Sequence, residues 1–258
     1  MGLKSTLGKT VGGLIRVNRS KDLAGDKEGG AARNGQLNSR YVRQDSIPTP
    51  PGISATGGQS TYVYNGKKIH VWTTEGSGTP FNVTSVGPTN NTIEYFIVGG
   101  GGGAGGDSEG DGGGGGAGGV LTGTIPISGG TITVTLGAGG VGGDANGVPG
   151  VTGSNSILTG GGLPATLTAL GGGAGANPAL SGGSGGGGSG DGPGVAGAAT
   201  NYPGPTAQGY PGGTGCTVGG QRAGAGGGGA GGAGENGAPP RQGGNGGLGV
   251  LIPTTFRD

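Results

Sequence analysis

Few side chains in this sequence are placed to do chemistry. His70 is the only histidine and Cys216 the only cysteine. Nucleophilic and general acid–base catalysis need a reactive group beside a base or a charge that tunes it. His70 lies in a β-prone run next to Trp72, and Cys216 has no basic neighbour in sequence. G-x-G-x-x-G spacing recurs, but glycine repeats generate it trivially, no strand–helix unit surrounds it, and no phosphate-loop lysine follows it. No catalytic residue is expected, and the chain is not read as an enzyme. Asp107, Glu109 and Asp111 alternate as the oxygen ligands of a calcium loop do, without the rest of that pattern. A solvated turn is the plainer reading, so no metal or cofactor is expected.

Recognition chemistry has more support. Residues 191–222, DGPGVAGAATNYPGPTAQGYPGGTGCTVGGQR, form the longest non-repetitive stretch of the glycine-rich region. Tyr202 and Tyr210 each precede a proline and can present rigid aromatic faces to a sugar or a protein, with Asn201, Gln208 and Arg222 supplying hydrogen bonds and Asp191 a further receptor-binding candidate. The competing reading packs both tyrosines over the glycine region.

Composition limits the elements that can hold such loops. Glycine supplies 79 of 258 residues, charged residues 10% and apolar residues 29%, which excludes a large hydrophobic core. Collagen is excluded too: the glycine phase breaks within a few triplets, and 16 prolines are only average. A lone cysteine allows no intrachain disulfide. No apolar run approaches the roughly 20 residues of a membrane span, and no signal peptide is expected, so synthesis in a cytoplasm is. The start MGLKST matches the myristoylation pattern at Gly2 and Thr6, a pattern loose enough to arise by chance.

The chain divides by texture. Residues 1–53 carry nine basic against four acidic residues, a local charge of +5, hidden by the net +1 of the whole. They show no sustained periodicity and are read as an extended basic assembly arm, with Arg16, Arg19, Arg33, Arg40 and Arg43 as anchoring residues and plain disorder as the alternative. Nucleic-acid arms are more densely basic and interleaved with aromatics, so no specific nucleic-acid partner is expected. A Pro/Gly linker follows at 54–60, then a small antiparallel β-module at 61–98. In that module Asn65-Gly66, between two β-prone runs, marks a hairpin. Residues 120–136 read as a second hairpin about Gly129-Gly130, and 251–258 as a tail.

Residues 99–250 hold 64 of the 79 glycines, in runs of similar length separated by compact loops. Glycine loses more conformational freedom on ordering than any other residue, so something must offset that cost. Left-handed polyglycine II helices leave every N–H and C=O free to bond sideways, and only glycine lets such backbones approach. The expected fold is therefore mainly β plus irregular: a β-module joined to a polyglycine II helix bundle, preceded by an extended arm.

Residues 62–106, YVYNGKKIHVWTTEGSGTPFNVTSVGPTNNTIEYFIVGGGGGAGG, followed by GGGGAGGVLTGTIPISGGTITVTLGAGGVGG, resemble the glycine-rich domain of tailed-bacteriophage tail fibre and other virion proteins. The match covers about residues 60–250, and its tandem motif order makes it fairly specific. It implies a virion structural protein at a tail fibre or fibre tip, similar to polyglycine-helix adhesins whose loops mediate host attachment. Implied partners are other virion proteins through the arm, a host surface glycan or outer-membrane protein, and further copies in a homo-oligomer. The implied location is the virion, assembled in the host cytoplasm. The arm lies outside the family domain, and the attachment regions of those adhesins are not found. A capsid, collar or baseplate decoration without a receptor role is the alternative, and a non-viral ice-binding or matrix protein a remoter one.

Overall fold

The computed structural model describes residues 14–16, 41–43, 52–77, 80–88, 91–107, 111–144, 146–191, 195–200 and 207–256. The chain forms two compact units, Met1–Pro51 and Gly52–Asp258. In the first, β1 (Leu14–Arg16) pairs antiparallel with β2 (Tyr41–Arg43), setting Ile15 opposite Val42. Arg16 and Arg43 sit at opposite ends of this ladder, whereas Arg19, Arg33 and Arg40 lie outside the described residues.

Among the described residues the second unit has twelve strands. They are β3 (Ser54–Thr56), β4 (Ser60–Tyr64), β5 (Lys67–Val71), β6 (Gly76–Ser77), β7 (Phe81–Ser85), β8 (Thr92–Val98), β9 (Val120–Pro126), β10 (Gly130–Leu136), β11 (Ser156–Gly160), β12 (Leu167–Ala169), β13 (Cys216–Val218) and β14 (Gln221–Ala223). β4 and β5 are the expected hairpin, with Asn65 at φ 47° and Gly66 at φ 72°, the double positive φ that a two-residue turn of matching twist requires. β10 is the centre of the main sheet, ordered β12-β11-β10-β7-β3, with β6 also pairing β10. β8 and β9 form a separate seven-residue ladder from Thr92↔Pro126 to Val98↔Val120.

That ladder corrects the second hairpin. β9 pairs with β8, and β10 with β6, β7 and β11, so residues 120–136 are two strands of different sheets. The local reason is visible at the turn: Gly130 has φ 140° and Gly129 has no positive φ, so the reversal of a two-residue hairpin is not made. Ile127, the first residue beyond β9, instead goes into the core with Val83 and Ile132, packed by Ile53, Ala55, Phe81, Ile93, Ile125, Leu158 and Leu163.

The glycine-rich region corrects the expected fold class. No helix of any kind occurs among the described residues, and what stands in place of a polyglycine II helix bundle is β-sheet with irregular segments. The glycine backbones do bond sideways, but irregular segments achieve this without a helix. Residues 99–106 show how. The amides of Gly99, Gly102 and Gly105 donate to the carbonyls of Gly119, Gly116 and Gly113, while those of Gly100, Gly103 and Gly106 donate to Ser154, Val151 and Val148. The carbonyls of Gly101 and Ala104 accept from Gly140 and Gly143, and those of Gly100 and Gly103 from Gly172 and Gly175. One irregular segment is thus bonded to four others, six of its eight amides donating to them without a ladder.

Glycine is what permits this approach. A Cβ on Gly102 would run into the carbonyl of Gly173, and one on Gly115 into that of Gly102. Outer positions differ: a Cβ on Gly139 would rest 3.9 Å from the Gly101 oxygen, an ordinary contact.

Candidate functional site

The stretch 191–222 is carried by the glycine scaffold and by a hairpin that the sequence reading passed over. β13 and β14 are joined through Gly219 (φ 58°) and Gly220 (φ 79°), and their register sets Thr217 opposite Arg222. The available signal was Gly219-Gly220 between CTV and QRA, a recognised two-residue turn pair.

This hairpin aims Arg222 at Asp191, and the two form an ion pair through Nη1 and Oδ1, both side chains about a third or more exposed. Around them, Asn177 Nδ2 donates to the Asp191 carbonyl, Thr217 Oγ1 donates to the Gly190 carbonyl, and the Gly190 amide donates to the Asp111 carbonyl at 2.8 Å. Two of the sequence-derived residues, Asp191 and Arg222, are therefore brought together with Asn177 and Thr217, which sequence reasoning missed. Neither carried a motif; only the fold juxtaposes them. A carboxylate, a guanidinium, an amide and a hydroxyl in one partly exposed cluster supply the directional donors and acceptors that a hydroxyl-rich or peptide ligand uses.

Gln208 has another set of partners. Its Nε2 donates to the Thr168 carbonyl at 2.9 Å, its Oε1 accepts from the Leu170 amide at 2.8 Å, and its own carbonyl accepts from the Val120 amide at 2.9 Å. The side-chain amide thus bonds the outer strand β12 as a neighbouring backbone would. Tyr210 is half-buried, with its amide donating to Gly229 and its carbonyl accepting from Gly185, both at 3.0 Å. Asn201 and Tyr202 lie outside the described residues.

His70 is built into packing: its Nδ1–H donates to the Gly57 carbonyl at 2.7 Å, and its ring meets Phe81 edge-on at 5.0 Å and stacks on Trp72 at 6.3 Å. Cys216 is half-buried at the start of β13. Asp107 is buried, Asp111 is half-buried, and Glu109 lies outside the described residues. Among the described residues no group of three or more His, Cys, Asp or Glu side chains is gathered as a metal site would need. Among the described residues there is no helix long and apolar enough to cross a membrane.

Two carboxylates are shifted. A hydrogen bond from Lys67 foremost holds Glu94 below the ordinary glutamate value; it outweighs burial, which acts in the opposite direction, and a bond from Thr255 and the Lys67 charge add to it. Asp144 is lowered by hydrogen bonds from the Asn146 backbone and side chain. Both are loop and strand fastenings outside the Asp191–Arg222 cluster.

The family model described as glycine-rich domain matches residues 73–256. No curated protein and no solved structure matches the chain. The matched span takes in β6 to β14, every glycine segment described above and the Asp191–Arg222 cluster. Since it covers well over half of the sequence, the chain belongs to the glycine-rich domain family.

Proposed function

We propose that this chain is a structural protein of a tailed-phage virion, part of a tail fibre or fibre tip, where its loops contribute to binding a host receptor. The family membership is silent on virions; the finer assignment rests on the tandem order of motifs in residues 62–106 and beyond. The observation that supports it most is the Asp191–Arg222 cluster held on a scaffold whose segments are cross-bonded through their backbones. Recognition residues concentrate in loops that a rigid framework positions. In this role the glycine segments supply rigidity without a large apolar core, the basic arm with Arg16, Arg19, Arg33, Arg40 and Arg43 joins other virion proteins, and no catalytic step is involved. The receptor is a surface glycan or an outer-membrane protein.

The test is adsorption. Particles carrying Asn201→Ala with Tyr202→Ala, and separately Arg222→Ala, are compared with the parent for binding to host cells at equal protein content. Loss of adsorption with normal incorporation supports the receptor role. Unchanged adsorption for all variants removes it and favours a capsid, collar or baseplate decoration, and absence of the protein from purified particles overturns the virion assignment.

A further inference from the structure

β4 is exposed over four of its five residues, with Val63 at 72% and Tyr62 at 43%, and among the described residues β5 is its only ladder partner. A two-stranded ribbon is marginal in water, and β5 rather than β4 carries this one's buried contact, through Ile69. An edge of this kind is normally blunted by a charge, a proline or a bulge. β4, Ser-Thr-Tyr-Val-Tyr, has no charge and no proline, and it pairs with β5 in unbroken register from Ser60↔Val71 to Tyr64↔Lys67.

From these features we infer that β4 is a self-association edge: two copies of this chain pair antiparallel through β4, centred on Tyr62, giving a four-stranded sheet ordered β5-β4-β4-β5. Charge distribution suits a second copy. The seam is neutral, and Lys67 and Lys68 sit on β5, one strand removed from the seam on either side, so pairing brings no like charges face to face. In this register Thr61 of each copy lies opposite Val63 of the other, two β-branched residues that favour a pleated pair. An isologous contact of this kind closes on itself, so association stops at the dimer. The inference is independent of whether the protein serves in a virion.

The experiment is the mass of the full-length chain by sedimentation equilibrium, for the parent and three variants. The parent is expected at twice the 23.8 kDa chain mass. T61E/V63E sets like charges opposite each other twice across the seam, while V63E faces Lys68 within its own hairpin and so supports it; the expected mass is that of one chain. T61K/V63E restores opposite charges across the seam and is expected to return the dimer. Y62C in a C216S background is expected to give a disulfide-linked dimer on oxidation, because antiparallel partners lie within disulfide reach. This readout stands even if T61E/V63E does not fold. A parent that stays at one chain mass at every concentration, a dimer indifferent to both charge variants, or failure of Y62C to cross-link each overturns the inference.

Discussion

The amide of Gly102 donates to the carbonyl of Gly116 at 2.8 Å, and the carbonyl of Gly173 occupies the space that a Cβ on Gly102 would need. The bond and the exclusion are two sides of one arrangement. Backbones close enough to satisfy one another sideways have no room between them for a methyl group. Gly102→Ala is therefore expected to cost about 3 kcal/mol, the upper part of the overpacking range, because the obstructing atom is backbone and cannot rotate away. Gly139→Ala, whose added carbon has room, is expected to change stability by only a few tenths. Paired urea melts decide this; equal effects would show that the approach distances do not govern stability.

Gln208 replaces a missing strand at the edge of β12. Gln208→Ala leaves the Leu170 amide and the Thr168 carbonyl without these bonds and is expected to cost roughly 1–3 kcal/mol. Gln208→Glu keeps the acceptor but sets a carboxylate against the Thr168 carbonyl. That raises the folded-state pKa of the introduced group, so this variant should gain stability relative to the parent as pH falls and the carboxyl becomes a donor. A pH-independent difference would contradict this placement of the amide.

The Asp191–Arg222 pair is partly exposed, and solvent screening limits its worth to at most about 1 kcal/mol. Arg222→Ala should melt close to the parent, and Asp191→Asn likewise. Should either variant lose the cooperative transition, the cluster is a structural fastening and the recognition role at that end is withdrawn.

The C-terminal segment is fastened to the first hairpin. Tyr62 Oη donates to the Phe256 carbonyl at 2.7 Å, the Phe96 and Phe256 rings lie 6.4 Å apart, and Lys67 pairs with Glu94. Residues expected as a tail are thus tied to β4 and β8. Glu94 has a lowered folded-state pKa, so its contribution is fully present above its unfolded value and is lost as pH falls through the folded one. After screening this amounts to a few tenths of a kcal/mol. The Lys67→Met variant should flatten that part of the acid profile; an unaltered profile would show that the ion pair contributes nothing.

Strands carried by local chemistry were legible in the sequence. TIEYFIV is β8 residue for residue, and Asn65-Gly66 makes the turn its composition demands. Pairing across distance was not: Gly129-Gly130 resembles a turn, but β9 finds β8 and β10 finds β7 and β11, a choice made by the burial of Ile127 and Ile132 together. The same limit applies to the glycine region. Its composition announces that backbones must bond sideways, yet a run of glycines has no side-chain pattern to specify which segments meet or in what conformation. Arg222 stands out in the sequence as a hydrogen-bond donor, while Asn177 is invisible there because its proximity to Asp191 is created only by the fold.

Order in the glycine region through backbone bonds between distant segments is the claim on which the rest depends, and amide hydrogen exchange resolved by residue tests it most directly. The amides of Gly102, Gly103, Gly116 and Gly173, which donate to Gly116, Val151, Gly173 and Ser184, are expected to exchange as slowly as that of Ile132, buried at the centre of the main sheet, and to lose protection together in Gly102→Ala. Exchange of those glycine amides at unstructured rates while Ile132 stays protected would contradict it.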